Sequence, residues 1–176
     1  YALGQCDRLA ASQGIAMVGS RNPTPQGAIN ARQFARAFAD LGWTVISGLA
    51  LGVDAAAHEG ALSGFDAVVH AGPSTIAVVG TGLDRVYPRQ HRELAHRIAQ
   101  SGVLLSECPL GAPPLAHHFP QRNRIIAGLS HGVLVVEAAP QSGSLITARQ
   151  ASEQGKRVGA MPGSIRSPQP RGCHAL

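Results

Sequence analysis

Four short stretches of the chain carry residue types able to hold an anion. In Phe119-Pro120-Gln121-Arg122-Asn123-Arg124-Ile125-Ile126-Ala127-Gly128-Leu129-Ser130, two arginines and an asparagine stand against an apolar run. Ile125, Ile126 and Leu129 fall a helical turn or less apart, which predicts a short helix anchored in a core. Arg122, Asn123 and Arg124 would then crowd its first turn. Such a helix start combines unpaired backbone N–H groups, the positive end of the helix dipole and guanidinium forks, all of which suit phosphate. Gly19-Ser20-Arg21 brings a tight turn, a hydroxyl and a guanidinium within one reach. Ser142-Gly143-Ser144 sets hydroxyls on both sides of a glycine before Leu145, Ile146 and Ala148, the composition of an anion nest opening a helix.

Four further positions stay open between structure and ligand. Gly48 and Gly52, in Ser47-Gly48-Leu49-Ala50-Leu51-Gly52-Val53-Asp54, allow close backbone approach, while Asp54 is equally suited to capping the helix that carries His58. Phe119 is either a core residue or a platform on which a base stacks beside backbone-binding arginines. Arg124 has a second use as the partner of a carboxylate such as Glu137.

Other chemistries find little support. The histidines do not recur at metal-ligand spacing with a nearby acid, and there is no Cys-x-x-Cys, so no metal is expected. Gly80-Thr81-Gly82-Leu83-Asp84-Arg85 lacks the third glycine of a dinucleotide fingerprint. A Walker A loop is absent, and the only lysine, Lys156, lies before a predicted strand. Ser106-Glu107-Cys108 offers a thiol to which no base is tied by pattern. No cofactor and no catalytic residue are expected.

The elements that must position these residues alternate along the chain. Ile15–Val18, Thr44–Ile46, Thr75–Val79, Val103–Leu105 and Val133–Val136 are short apolar runs bounded by glycine, as in strands buried on both faces. Between them Phe34, Phe38 and Leu41 make one helical stripe, Leu94 and Ile98 another, and Leu145, Ala148 and Ala151 a third. This predicts an α/β, Rossmann-like three-layer fold, a mostly parallel sheet with helices on both faces, as a single domain over residues 1–176. In such sheets ligands bind beyond the carboxyl ends of the strands, where every motif named above falls.

Taken together and in order, Gly19-Ser20-Arg21, Ser47 to Asp54, the FPQRNRIIAGLS block and Ser142-Gly143-Ser144-Leu145-Ile146-Thr147-Ala148 resemble the DNA-processing protein A (DprA/Smf) family. The resemblance runs from about Gly14 to the C-terminal end. It implies a phosphate-binding role for Gly19, Ser20 and Arg21, and with them for Gly48, Phe119, Arg122, Asn123, Arg124, Ser142, Gly143 and Ser144. It further implies a homodimer joined through the C-terminal part of the fold, and a non-enzymatic carrier that protects incoming single-stranded DNA and helps load the RecA recombinase. Around Phe65–Gly72 the chain holds roughly eight residues more than the family pattern, expected to lengthen a surface loop or add an edge strand. A nucleotide phosphoribohydrolase of the lysine-decarboxylase-like fold group is the alternative, with Glu137 or Glu107 as general acid, but its Pro-Gly-Gly-x-Gly-Thr segment is not found here.

Composition agrees with this reading. Hydrophobic residues make up 44% of 176 and charged ones 14%, which argues against disorder and for a well-buried sheet. The net charge of +5 suits a polyanionic partner. Three scattered cysteines give no disulfide framework and fit a reducing compartment. With no apolar run of spanning length and no leader at Tyr1, a cytoplasmic protein without membrane contact is expected. The start at Tyr1 without a methionine leads to the expectation of further chain on the N-terminal side, and of more beyond Leu176.

Overall fold

The computed structural model describes residues 1–68, 70–161, 163, 172 and 173. Its strands are Ala2–Gly4 (β1), Gly14–Gly19 (β2), Thr44–Ser47 (β3), Thr75–Val78 (β4), Val103–Leu105 (β5), Gly132–Val136 (β6) and Arg157–Met161 (β7). Its helices are Pro25–Asp40 (α1), Val53–Gly64 (α2), Arg92–Ser101 (α3), His118–Leu129 (α4) and Ser144–Glu153 (α5). All five apolar runs read from the sequence form strands. They pair in the order β1-β5-β4-β3-β2-β6-β7, parallel throughout except for β1 against β5. Rossmann-like three-layer architecture follows from side-chain alternation. Val18, Ile46, Val78 and Val135 face Ile126 of α4 and Ala148 of α5, whereas Met17, Val45 and Val136 face α1 and α2, and Ala77 and Leu104 face α3.

From β2 the chain steps outward to β3, β4 and β5, then returns to place β6 on the other side of β2. The carboxyl ends of β2 and β6 therefore flank a switch point, the place where open parallel sheets receive ligands.

One local reading changes, and one open alternative is decided. Helix α1 begins as its Thr24-Pro25 signal suggests, with the Thr24 hydroxyl accepting the Gly27 N–H at 3.0 Å. Its buried stripe, however, is Gly27, Ala31, Ala35 and Ala39, while Phe34 is 45% and Leu41 75% exposed. The reason is close helix approach: a Cβ on Gly60 of α2 would lie 2.1 Å from the Arg32 carbonyl of α1. Only small residues fit that seam. The residues around Phe65–Gly72 form a surface loop rather than a strand over their described part, fastened where His70 Nε2 donates to the Ala39 carbonyl.

His58 on α2 is wholly buried. The Thr75 hydroxyl donates to the Val45 carbonyl at 2.5 Å, so it can only accept from His58 Nδ1 at 2.8 Å. That fixes the Nδ1–H tautomer and leaves Nε2 bare and unpartnered. Burial, then the positive charges of Arg122 and His91, lower the His58 pKa from 6.5 to about 3. Because the folded-state pKa lies below the unfolded one, the neutral ring's stabilisation is complete above pH 6.5 and is lost as pH falls toward 3. Urea unfolding at a series of pH values through this window should show stability falling by up to about 1.4 kcal/mol per pH unit. His58→Leu should flatten that dependence.

Candidate functional site

A cavity of about 510 Å³ opens at the switch point. It is lined by Gly19, Ser20 and Arg21 after β2, by Ala50 and Asp54 after β3, and by Phe119, Arg122 and Asn123 of α4. Gln141, Ser142, Gly143, Ser144 and Thr147, after β6, complete it. Loops after three separate strands and residues of α2, α4 and α5 thus converge on one space.

The β2 loop is locked by its backbone. Ser20 N–H donates to the Val136 carbonyl at 3.1 Å, and Ser20 carbonyl accepts Val53 N–H at 3.0 Å. Gly19 is required because a Cβ there would lie 2.0 Å from the Val136 carbonyl oxygen. Ser20 Oγ accepts the Asn22 N–H at 3.1 Å, which leaves its own proton to donate. Arg21 is exposed, and among the described residues no carboxylate lies within ion-pair distance of it.

The other arginine of the cavity is committed inward. Arg122 is 7% exposed; its Nη1 donates to the Gly48 carbonyl at 2.5 Å and to the Val78 carbonyl, and its Nε donates to Asn123 Oδ1 at 3.1 Å. Asn123 Nδ2 in turn donates to the Gly143 carbonyl at 3.2 Å. Behind Gly48, Asp54 Oδ2 accepts the N–H groups of Gly48 at 3.1 Å and Ala50 at 3.2 Å. Burial pushes the Asp54 carboxyl up from its usual range, and Arg122 and these two N–H donors pull it back. Of the two readings left open for Asp54, the structure shows bonds to the preceding loop, whereas its own helix starts from Gly52 at φ 77°.

Three expectations for α4 are corrected. The helix begins at His118, so Arg122, Asn123 and Arg124 lie in its second turn, with their N–H groups inside the helical ladder. The buried face is Arg122, Asn123, Ile126 and Ala127, while Leu129 is 39% exposed. Arg124 does bind a carboxylate, but that of Glu107 rather than Glu137, and the pair is exposed.

Glu137, for its part, is 3% exposed, with a positive φ of 50°. Its Oε2 accepts the Thr24 N–H at 2.7 Å and its Oε1 the Thr24 hydroxyl at 2.6 Å. This carboxylate occupies the start of α1, whose dipole is thereby already matched. Sequence reading missed that role, since a spacing of 113 residues leaves no local signal.

At the start of α5 the situation is the reverse. No acidic residue stands in its first turn. Ser142 Oγ and Ser144 Oγ lie 2.7 Å apart, and Thr147 Oγ1, on the cavity wall, is buried without a hydrogen-bond partner. Phe119 is half-buried at the mouth, its ring centroid 5.4 Å from that of Tyr87.

Cys108 has a neighbour that its sequence context did not reveal. Its Sγ lies 3.6 Å from His118 Nδ1, which is also 3.1 Å from the Gly80 carbonyl. A carbonyl accepts only, so the short contact places the proton on Nδ1 and leaves no lone pair there to take one from the thiol. Among the described residues no group of three or more His, Cys, Asp or Glu side chains could hold a metal ion.

The sequence model for DNA recombination-mediator protein A matches residues 1–176. The chain belongs to that family. It is similar to protein Smf of Escherichia coli, 50% identical over 163 residues, a match covering 92% of this chain and 42% of that one. Among solved structures it superimposes on DNA processing protein A from Streptococcus pneumoniae with a TM-score of 0.89, at 44% identity, covering 99% of this chain and 59% of the other. A second is DNA processing protein A from Helicobacter pylori, reported for its single-stranded DNA binding mode, with a TM-score of 0.85 and 32% identity, covering 97% and 75%. The chain spans about half the length of the curated family members it matches.

The geometry makes Glu137 an anchor for α1. Glu137→Ala should strip two donors of their acceptor and destabilise the fold by about 1–3 kcal/mol in urea titration. A variant as stable as the parent would contradict this role.

Proposed function

We propose that this cavity holds the backbone of single-stranded DNA, and that the protein acts in DNA processing during natural transformation. The observation that carries the reading is the pairing of an exposed, carboxylate-free Arg21 with the acid-free start of α5 and its two serine hydroxyls on the walls of one cavity. Both favour an anion, and the hydroxyl of Thr147, a lining residue of α5, is buried without a partner. Ser20, Ser142, Gly143 and Ser144 supply further donors. Gly19 lets the backbones close up, Gly48 makes room for the Arg122 guanidinium, and Phe119 with Tyr87 offers faces on which unpaired bases stack. Arg122 and Asn123 belong to the same wall, while Arg124 pairs with Glu107 outside the cavity lining; Arg122 contributes its field and holds the loops in place more than it reaches outward. The similarity to the Helicobacter pylori protein supports single strands as the occupant.

The family's wider role is part of the same proposal: protection of incoming strands, help in loading RecA, and action as a homodimer. The C-terminal segment through which dimerisation is expected lies mostly outside the described residues. No helix among the described residues is long and apolar enough to cross a membrane, and cytoplasmic residence is proposed with the rest. We assign no catalysis. Glu137 is engaged at α1 and Glu107 by Arg124, so the two carboxylates on which a phosphoribohydrolase reading relies are already committed.

Fluorescence anisotropy with labelled oligo-dT should show Arg21→Ala weakening binding roughly ten- to a hundredfold, the loss of one charge-assisted phosphate contact. The dependence of log K on log salt should fall by about 0.7. Arg36→Ala and Arg97→Ala, on exposed helix faces, should leave both quantities unchanged. Equal weakening by all three would mean a diffuse field instead of a site.

A second measurement concerns cofactors. Binding should persist undiminished in EDTA and without ATP, because phosphate is met here by donors of the protein itself. Complete loss in EDTA would overturn that.

A further inference from the structure

A second cavity, of about 750 Å³, lies beside the first. Its walls come from the connection between β4 and α3, from α3 itself and from Leu3 of β1. Leu3, Leu83, Val86 and Leu104 line it with apolar surface, whereas Arg85, Arg89 and Arg92 bring three guanidinium groups to it. The one carboxylate in the lining, Asp84, is already engaged. Its Oδ1 accepts the Gly111 N–H at 2.8 Å and its Oδ2 lies 3.9 Å from Arg85 Nε. Among the described residues neither Arg89 nor Arg92 has an acidic partner. An apolar wall edged by uncompensated guanidinium groups is matched by a nucleotide, whose base is apolar on its faces and whose phosphate is anionic.

The two cavities are joined by aromatic surface. Phe119 lines the first and Tyr87 the second, their centroids being 5.4 Å apart, and Tyr87 is 48% exposed. A Tyr left half open beside a Phe gives a stacking step between two cationic regions.

We infer that the second cavity is a further subsite for the same single strand, which crosses the Phe119–Tyr87 step and sets its next phosphates against Arg89 and Arg92. This rests on the reading of the first cavity as the DNA site. It also predicts a graded dependence on strand length: a short oligonucleotide fills the first cavity alone, and a longer one fills both.

Oligo-dT of about 5 and about 15 nucleotides, within the range covered by single-strand sites on one domain, separates the two cavities. Arg89→Ala/Arg92→Ala should bind the short strand as the parent does. On the long strand it should lose about tenfold or more, with the salt slope lowered by about 1.4, the share of two phosphates. Tyr87→Ala should weaken long-strand binding about tenfold with the slope unchanged, since stacking releases no counterions. Both arginines are exposed, and thermal melting checks that the variants remain folded. Parent-like affinity and slope of the double variant on the long strand would overturn the subsite. Equal loss on short and long strands would also overturn it, by assigning these arginines to the first cavity. Arg21→Ala is the separate control: if it leaves short-strand binding intact, the reading of the first cavity fails, whatever the double variant does.

Discussion

A buried guanidinium holds the site together. Taking Arg122 out of water is costly, and it is tolerated because Gly48, Val78 and Asn123 accept its hydrogens while Asp54 supplies opposite charge from behind Gly48. Through these bonds one side chain couples the end of β3, the end of β4 and, by way of Asn123 and Gly143, the loop before α5. Gly48 has no alternative under this arrangement, since a Cβ would lie 2.2 Å from the guanidinium. Loops that would otherwise move independently are thereby held as one surface, and preorganisation of that kind lowers the cost of ordering upon binding.

Helix starts divide the work electrostatically. Two helices begin beside the β2–β6 crevice, and the protein treats them oppositely. The first receives its anion from within, as Glu137 against Thr24; the second begins without an internal acid and faces the cavity. One dipole is matched by an internal carboxylate, and the other is left without one.

Much of this was readable in the residues. The five strands announced themselves as glycine-bounded apolar runs, and their order placed Gly19-Ser20-Arg21 and Ser142-Gly143-Ser144 on one rim. What failed did so where tertiary contact overrode local pattern. Phe34 and Leu41 formed a plausible stripe, yet the seam between α1 and α2 admits only Gly and Ala, so the large side chains turn outward. Arg122 carried every mark of a surface cation; its burial depends on carbonyls 44 and 74 residues away, which no window of sequence can contain. The start of α4 was misplaced because His118 and Phe119 precede Pro120, a residue well tolerated in the first turn but easily read as a boundary.

The antiparallel strand β1 has a consequence of another kind. Residues Ala2 to Gly4 cover β5 in register, from Ala2 opposite Leu105 to Gly4 opposite Val103, and Gln5 adds a bond to the Gly102 carbonyl at 2.9 Å. Without them β5 would present an open row of amides and carbonyls next to apolar Val103 and Leu104, a template for pairing with other chains. Three residues with scarcely any buried surface therefore work as a guard against aggregation, and trimming them would be felt first in solubility.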